Sequence, residues 1–475
     1  MPRDTTEHTN GTTNGGRSLG SNGVANGFDQ QKQLRVAVVG GGIVGVAAAL
    51  GLLRRNLSVK LYEQADNFRE IGAGVAFTTN AQTCMALLSP SILAAMKAVS
   101  TKNESPFYTY VDGYRRSGDQ TDDDSDLSET LLYRLHAGTT GFDACHRAHF
   151  VDEMVKHFPK GVVEFGKRFD TYTFDEERQE YTLRFEDGST ATSDVVVGCD
   201  GIKSRIRQVL LGEDNPASYP SFANQVAFRG LVSMDLAVAA LGHDKAHNQC
   251  MHVGPNAHLL NFPVARHTMM NIVAFAPQHE PWTHEKLVAP ATADEVHQVY
   301  GGWRPAVRAI MGLLLGIEKD GRLDKWAIFD TFEHPAPTYC KEGVCIAGDA
   351  AHATSPHHGA GAGSGIEDAL ALATVLELAQ KEIMVQGGGG GKNKKMATVE
   401  AALRAYDAVR RERTQWLVRS SREVSKTYEW ANPDCGTDPE KCLKDIERRA
   451  HKIWHFDIDG MLEDVKTQFA RFLGA

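Results

Sequence analysis

LRVAVVGGGIVGVAAALGLLRRNLSVKLYE, residues 34–63, is the stretch whose reading decides the fold. An apolar run from Val36 to Val39 meets three consecutive glycines, and a helix of small residues follows. A second strand, Ser58 to Tyr62, ends on Glu63. Gly40, Gly42 and Gly45 have the GxGxxG spacing, and the acid lies 18 residues beyond the last of them. The first glycine permits a tight turn, the second lets a pyrophosphate approach the backbone, and the third lets helix pack on strand. The helix N-terminus faces the phosphates, and Glu63 is placed to accept hydrogen bonds from a ribose. Strand, turn, helix, strand and acid in register predict a bound dinucleotide, whereas a purely structural glycine turn needs none of the flanking parts.

The chain has 475 residues, enough for a large core and two to three domains. A net charge of −9 gives no reason to expect nucleic acid or an anionic membrane as partner. Eight cysteines without CxxC spacing argue against zinc or any other metal and against a disulfide scaffold, and so for reduced thiols and a cytoplasmic location. Met1 to Gln33 is polar and is expected to be a disordered tail, without the apolar core of a secretion signal. The run Val36 to Leu53 reads as buried strand and helix rather than a membrane span, because arginines hug it closely.

Farther along, Thr171 to Gly201 alternates apolar and polar residues around the turn Glu186-Asp187-Gly188, the pattern of antiparallel hairpins, before the apolar strand Val195 to Val197. Gln225 to Val232, His258 to Phe262 and Met269 to Phe275 read as strands of a sheet that walls a pocket. Gly343 to Ala347 reads as another buried strand, and Ile366 to Gln380 and Ala397 to Arg422 as helices. The expected fold class is α/β: a discontinuous Rossmann-type domain with an inserted, mostly antiparallel β-sheet substrate domain and a helical C-terminal part. The expected boundaries are a tail over 1–33, the first nucleotide-binding part over 34–209 and the sheet domain over 210–340. The second nucleotide-binding part covers 341–425, with a flexible loop at 387–395, and a helical cap covers 426–475.

Two further motifs accompany the first. One is DGxxSxxR, Asp200 to Arg207, directly after a buried strand. The other is Gly348-Asp349-Ala350-Ala351-His352, followed by Pro356-His357-His358-Gly359-Ala360-Gly361-Ala362-Gly363. Taken singly, Asp200 or Asp349 is as well read as a helix N-cap as a ligand. Together, and with His146-Arg147 between the first two, the three motifs resemble those of the single-component FAD-dependent aromatic hydroxylases that include salicylate hydroxylase. The resemblance spans about residues 34–425, and Ile453 to Asp459 fits it too. It implies FAD as the held cofactor. Glu63 would then bind the adenosine ribose, Arg147 would lie along the phosphate and ribityl region, and Asp349 would contact the ribityl chain or pyrophosphate. Gly361 and Ala362 would sit against the isoalloxazine, and Asp200 would serve both FAD and NAD(P)H. The chain has a single dinucleotide fingerprint, which agrees with a transient NADPH or NADH donor that has no Rossmann domain of its own.

His357-His358 and Phe228-Arg229-Gly230 are similar to a narrower branch, the fungal polyketide-pathway monooxygenases that dearomatise resorcinol-type aldehydes toward azaphilones, tropolones and sorbicillinoids. That resemblance implies hydroxylation of a phenolic ring with O2 through a flavin C4a-hydroperoxide. Arg229 would hold the phenolate, and His357 or His358 would aid proton transfer. Phe262 would line the substrate pocket where some members carry a tyrosine. The alternatives are a salicylate-type decarboxylating or simple ring hydroxylase and, from another class, a flavin-binding regulator without turnover. The expected partners are a small phenolic substrate and O2, in a monomer or weak homodimer. Plainer readings stand beside these: Arg229 as a surface residue of an alternating strand, His352 as structural, and Arg404 to Arg422 as a solvated, salt-bridged face.

Overall fold

The computed structural model describes residues 33–68, 74–114, 127–138, 143–316, 323–385 and 392–474. The expected tail, Gln33 apart, and residues 387–391 of the expected loop 387–395 lie outside them, while 392–395 begin a helix instead of continuing that loop. The apolar strand Arg35–Val39 lies at the centre of a six-stranded sheet, with Ser58–Tyr62 parallel on one side and Val195–Gly198 parallel on the other. Val344–Ile346 continues the parallel set beyond Val195–Gly198, so the chain returns to this sheet after an excursion of more than a hundred residues. Strands buried on both faces are continuously apolar, as Val195–Val197 shows. Phe169–Asp175, Glu180–Phe185 and Thr190–Ser193 form the expected antiparallel meander.

The excursion builds a mostly antiparallel sheet of eight strands. Its centre is Ser221–Ser233, Met269–Pro277, Ala257–Val264 and Cys250–Gly254 in neighbouring order. Two of its strands, Phe107–Asp112 and Thr130–His136, come from the segment expected to belong to the nucleotide domain. Alternation along these strands divides the sheet's two faces. Phe228, Leu259, Ile272 and Ala274 pack on the helices Met234–Leu241 and Pro305–Gly316. Arg229, His258, Leu260, Phe262, Val273 and Phe275 take the opposite face.

The 25-residue helix Gly361–Val385 and the 37-residue helix Lys392–Tyr428 run past the nucleotide sheet. The second departs from the expected solvated face, because Arg410 within it is fully buried. Arg410 bonds Asp368 at 2.8 Å and pairs with Glu367 at 2.8 Å, so charge neutralisation inside the core explains the burial. The C-terminal segment divides: Ile458–Leu473 packs on the nucleotide core and Pro439–Trp454 on the eight-stranded sheet. No helix among the described residues is long and apolar enough to cross a membrane. All eight cysteines are buried and unpaired.

Candidate active site

The first strand ends on Gly40, whose φ of +105° suits glycine alone. A Cβ there would lie 2.3 Å from Cys199 O, and one on Gly45 would lie 1.9 Å from Gly40 O. The first motif therefore touches the second at Cys199-Asp200, and its helix, Ile43–Arg54 with Gly42 at the N-cap, leaves directly from that contact. Glu63 reaches back to the same turn: its Oε2 accepts from Gly41 N at 2.6 Å and its Oε1 from Ala65 N at 2.8 Å.

Asp200 has both oxygens engaged by protein. Oδ1 accepts the Ser204 hydroxyl at 2.5 Å, and Oδ2 accepts the amides of Arg205 and Ile206 at 2.7 and 3.1 Å. It thereby satisfies two free amides in the first turn of the helix Arg205–Leu211, whose N-cap is Ser204 and not Asp200. Burial pushes its pKa up, and these bonds oppose the rise. Arg207, from the same motif, is buried and donates to Ala350 O at 3.0 Å and Ala351 O at 2.7 Å, which locks the second motif to the third. Behind that contact His352 Nε2 meets Asp368 Oδ2 at 2.5 Å, and Asp368 also accepts from Gly348 N and Arg410. Burial opposes ionisation of Asp368, but His352 and Arg410 win and hold its pKa down to about 2. His352 is structural here. Asp349, one residue after Gly348, is exposed and has no hydrogen bond or ion pair among the described residues. Arg147 opens the helix Arg147–Val155 and is exposed.

A cavity of about 300 Å³ lies between the sheet and the N-terminus of the helix Gly361–Val385. Asp349, His357, His358, Gly361, Ala362 and Phe262 all line it, which brings together six residues expected for cofactor or substrate. Val75, Tyr108, Met251, Leu260, Phe275, Tyr428 and Trp454 supply much of the remaining wall. No lysine or arginine is among the described residues that line it. Arg229 is also absent from the wall: its guanidinium carbon lies 3.3 Å from the Trp326 ring centroid. It stands at the end of the row that forms the wall, since Arg229 pairs with Val273, Val273 with Leu260, Leu260 with Met251 and Met251 with Tyr110. Burial and the like charge of Arg147 pull its pKa down to about 10.

Both histidines are held neutral. Burial, with His258, His358 and Arg422 nearby, pulls His357 far below the usual imidazole range. Burial and Arg449 pull His358 down to about 3, and its Nε2 lies 2.9 Å from the Ser420 hydroxyl. Sequence reasoning missed His258, fully buried on the cavity face, and Glu429, beyond the long helix. The only available signal for His258 was a polar residue at an inward position of an alternating strand. Glu429 carried none. At the surface, Glu104, His243 and His247 form a group of potential metal ligands away from the cavity wall. The His243 and His247 rings stack at 4.1 Å, and His247 Nδ1 meets His267 Nδ1 at 2.9 Å.

The glycine-built turn, the unpaired carboxylate of Asp349 and a helix N-terminus opening on a cavity all fit a flavin dinucleotide. The FAD binding domain family matches residues 33–412. The FAD-dependent monooxygenase pigN of Monascus ruber is 47% identical over 445 residues, covering 94% of this chain and 98% of that protein. Salicylate hydroxylase asL1 of Sarocladium schorii is 41% identical over 451 residues, covering 92% of each. Among solved structures, a salicylate hydroxylase substrate complex matches with a TM-score of 0.74 and 32% identity over 92% of this chain and 98% of that one. CtdE in complex with FAD and a substrate matches at 0.74 with 18% identity, a likeness of fold.

Proposed function

The chain belongs to the FAD binding domain family and is an FAD-dependent monooxygenase, and from that premise we propose that it hydroxylates the ring of a neutral phenolic substrate. The substrate class is a resorcinol-type aldehyde of fungal polyketide metabolism, NADPH or NADH is the electron donor, and attack at an alkylated ring carbon leaves the product dearomatised. The observation that supports this reading is the cavity wall, which is mostly aromatic and aliphatic around His357 and His358 and, among the described residues, has no lysine or arginine to neutralise a substrate carboxylate. That favours a phenolic aldehyde over the salicylate-type alternative.

Gly40, Gly42, Gly45, Glu63 and Arg147 would hold the adenosine and phosphate part of FAD, with Asp200 bracing the turn. Asp349, Gly361 and Ala362 would hold the part that meets the cavity. Bound there, FAD supplies the redox chemistry and the activated oxygen. The protein's own groups prepare the ring. Phenolate is a far better carbon nucleophile than phenol, and Arg229, at the edge of the wall, favours the ionised form through its charge. His357 and His358, uncharged, receive or orient the phenolic hydrogen. Phe262, Leu260 and Phe275 exclude water and fix the ring plane.

The test is oxidation of NADPH and NADH with and without a panel of phenols and salicylates. Stimulation by methylated resorcylaldehydes with a non-aromatic product spectrum is the expected result. Stimulation by salicylate with release of CO2 would establish the alternative, and no stimulation across the panel would leave a flavin-binding regulator.

A further inference from the structure

His357 lines the cavity and is buried, and its two ring nitrogens have unlike surroundings. Nδ1 lies 3.3 Å from His258 Nε2, and Nε2 has no hydrogen-bond partner among the described residues. His258 Nδ1 lies 3.0 Å from Glu429 Oε1, which also accepts from Gln225 Nε2 at 2.8 Å. A carboxylate only accepts, so the hydrogen between Glu429 and His258 sits on Nδ1 of His258. With its hydrogen on Nδ1, the His258 ring offers a lone pair at Nε2, which His357 Nδ1 meets as donor. The free Nε2 of His357 is left as an acceptor. Each tautomer follows from the one behind it.

We propose that Glu429 acts through His258 to fix the tautomer of His357, so that His357 Nε2 takes the phenolic hydrogen of the substrate and the proton passes down this chain. The proposal rests on the phenolic reading of the cavity. The substrate O–H bond breaks and a proton binds His357 Nε2. The Nδ1 proton of His357 moves to His258 Nε2, and the Nδ1 proton of His258 moves to Glu429. No proton or electron is gained or lost: the carboxylate's negative charge has become the phenolate's. Stacking holds the relay in place, with His258 lying 4.5 Å from Phe275 at an interplanar angle of 19°. Around His357 the charged and titratable groups are His258, His358 and Arg422, and Arg422 is itself paired with Asp330. Burial keeps His357 uncharged, as an acceptor requires. His357 is the catalytic residue of the set, while His258 and Glu429 are positioning residues.

The experiment uses FAD-loaded enzyme under anaerobic conditions with a methylated resorcylaldehyde, whose visible absorbance reports the phenolate fraction against pH. Glu429→Gln removes the proton's destination without changing shape, and His258→Phe keeps the ring stack but breaks the chain. Both are expected to retain FAD and to raise the bound phenol's apparent pKa by about one unit, roughly a tenfold loss of phenolate at low pH. In turnover, kcat falls more than KM rises, and higher pH restores it. Glu429→Asp keeps the charge at shorter reach and is expected to lie between wild type and Glu429→Gln. It also serves if the glutamine variant does not fold, since a bound-phenol pKa equal to wild type overturns the relay. Wild-type ionisation in Glu429→Gln and His258→Phe does the same. A wild-type enzyme that binds no phenol sinks the phenolic reading itself, and the relay with it.

Discussion

At the cofactor cradle, Gly40 and Gly45 are restricted to one residue type by backbone atoms 2.3 and 1.9 Å from where a Cβ would stand. Across the cavity, Tyr110, Met251, Leu260 and Val273 share one row of the sheet, and each comes from a different strand. In the proposed reading the cradle recognises its cofactor largely with main chain, so it tolerates almost no change at a few local positions. The wall recognises with side chains gathered from distant parts of the chain, so its identity can drift while the sheet stays the same. On that reading the first region holds the cofactor, and the second selects what reacts with it.

Gly45→Val is the most damaging way to break the contrast. Its side chain meets main chain that cannot yield, and the expected result is FAD-free protein destabilised by about 3 kcal/mol in denaturant unfolding. A yellow, fully stable variant would show that the cradle is more plastic than its contacts imply.

At the edge of the wall, Arg229→Ala is expected to retain FAD and lose roughly ten- to a hundredfold in hydroxylation, equivalent to about 1.5–3 kcal/mol for one charge-assisted contact. NAD(P)H oxidation should become poorly coupled to product, and Arg229→Lys should recover little, because a point charge does not replace the planar fork. Steady-state rates with product quantified against NAD(P)H consumed check both. Because the guanidinium stacks on Trp326, Trp326→Leu should loosen it and alter coupling without removing flavin. Full coupling in Arg229→Ala would confine Arg229 to that stack.

The smallest effect is on stability against pH. His357 and His358 have folded pKa values below their unfolded values, so below about pH 6.5 the unfolded chain binds more protons and stability rises with pH. Each histidine contributes at most about 1.4 kcal/mol per pH unit as the pH falls from there, down to about pH 3 for His358. Urea unfolding from pH 7 to 5 should therefore show a slope that becomes shallower in His357→Phe. An unchanged slope would mean that this histidine does not stay neutral in the folded protein.

The same contrast explains what was legible in the sequence. The parallel sheet, the three motifs and their order follow from local patterns, because glycine spacing and strand periodicity are properties of neighbours in the chain. Gly361, Ala362, Asp349 and the two histidines could be placed at one cavity because one short stretch of chain, 349–362, carries them. His258 and Glu429 could not, since they meet through a strand pairing and a helix end 171 residues apart. Arg229 lay between these cases. Its strand and face follow from alternation, but its stack on Trp326 depends on the pairing of Ser221–Ser233 with Leu323–Asp330, which no local pattern announces. The burial of Arg410 was hidden for the same reason: its partners Glu367 and Asp368 lie on another helix.

The central claim is oxygen insertion into a phenolic ring at a flavin held by this cradle, and one measurement addresses it directly. The FAD-loaded enzyme is given NAD(P)H, a methylated resorcylaldehyde and isotopically labelled O2, and the product is read by mass and ultraviolet spectrum. The account predicts one labelled oxygen atom in the product, retention of every substrate carbon and loss of the aromatic absorption. NAD(P)H consumption with no label in any organic product, or labelled product that has lost CO2 and stayed aromatic, would contradict it.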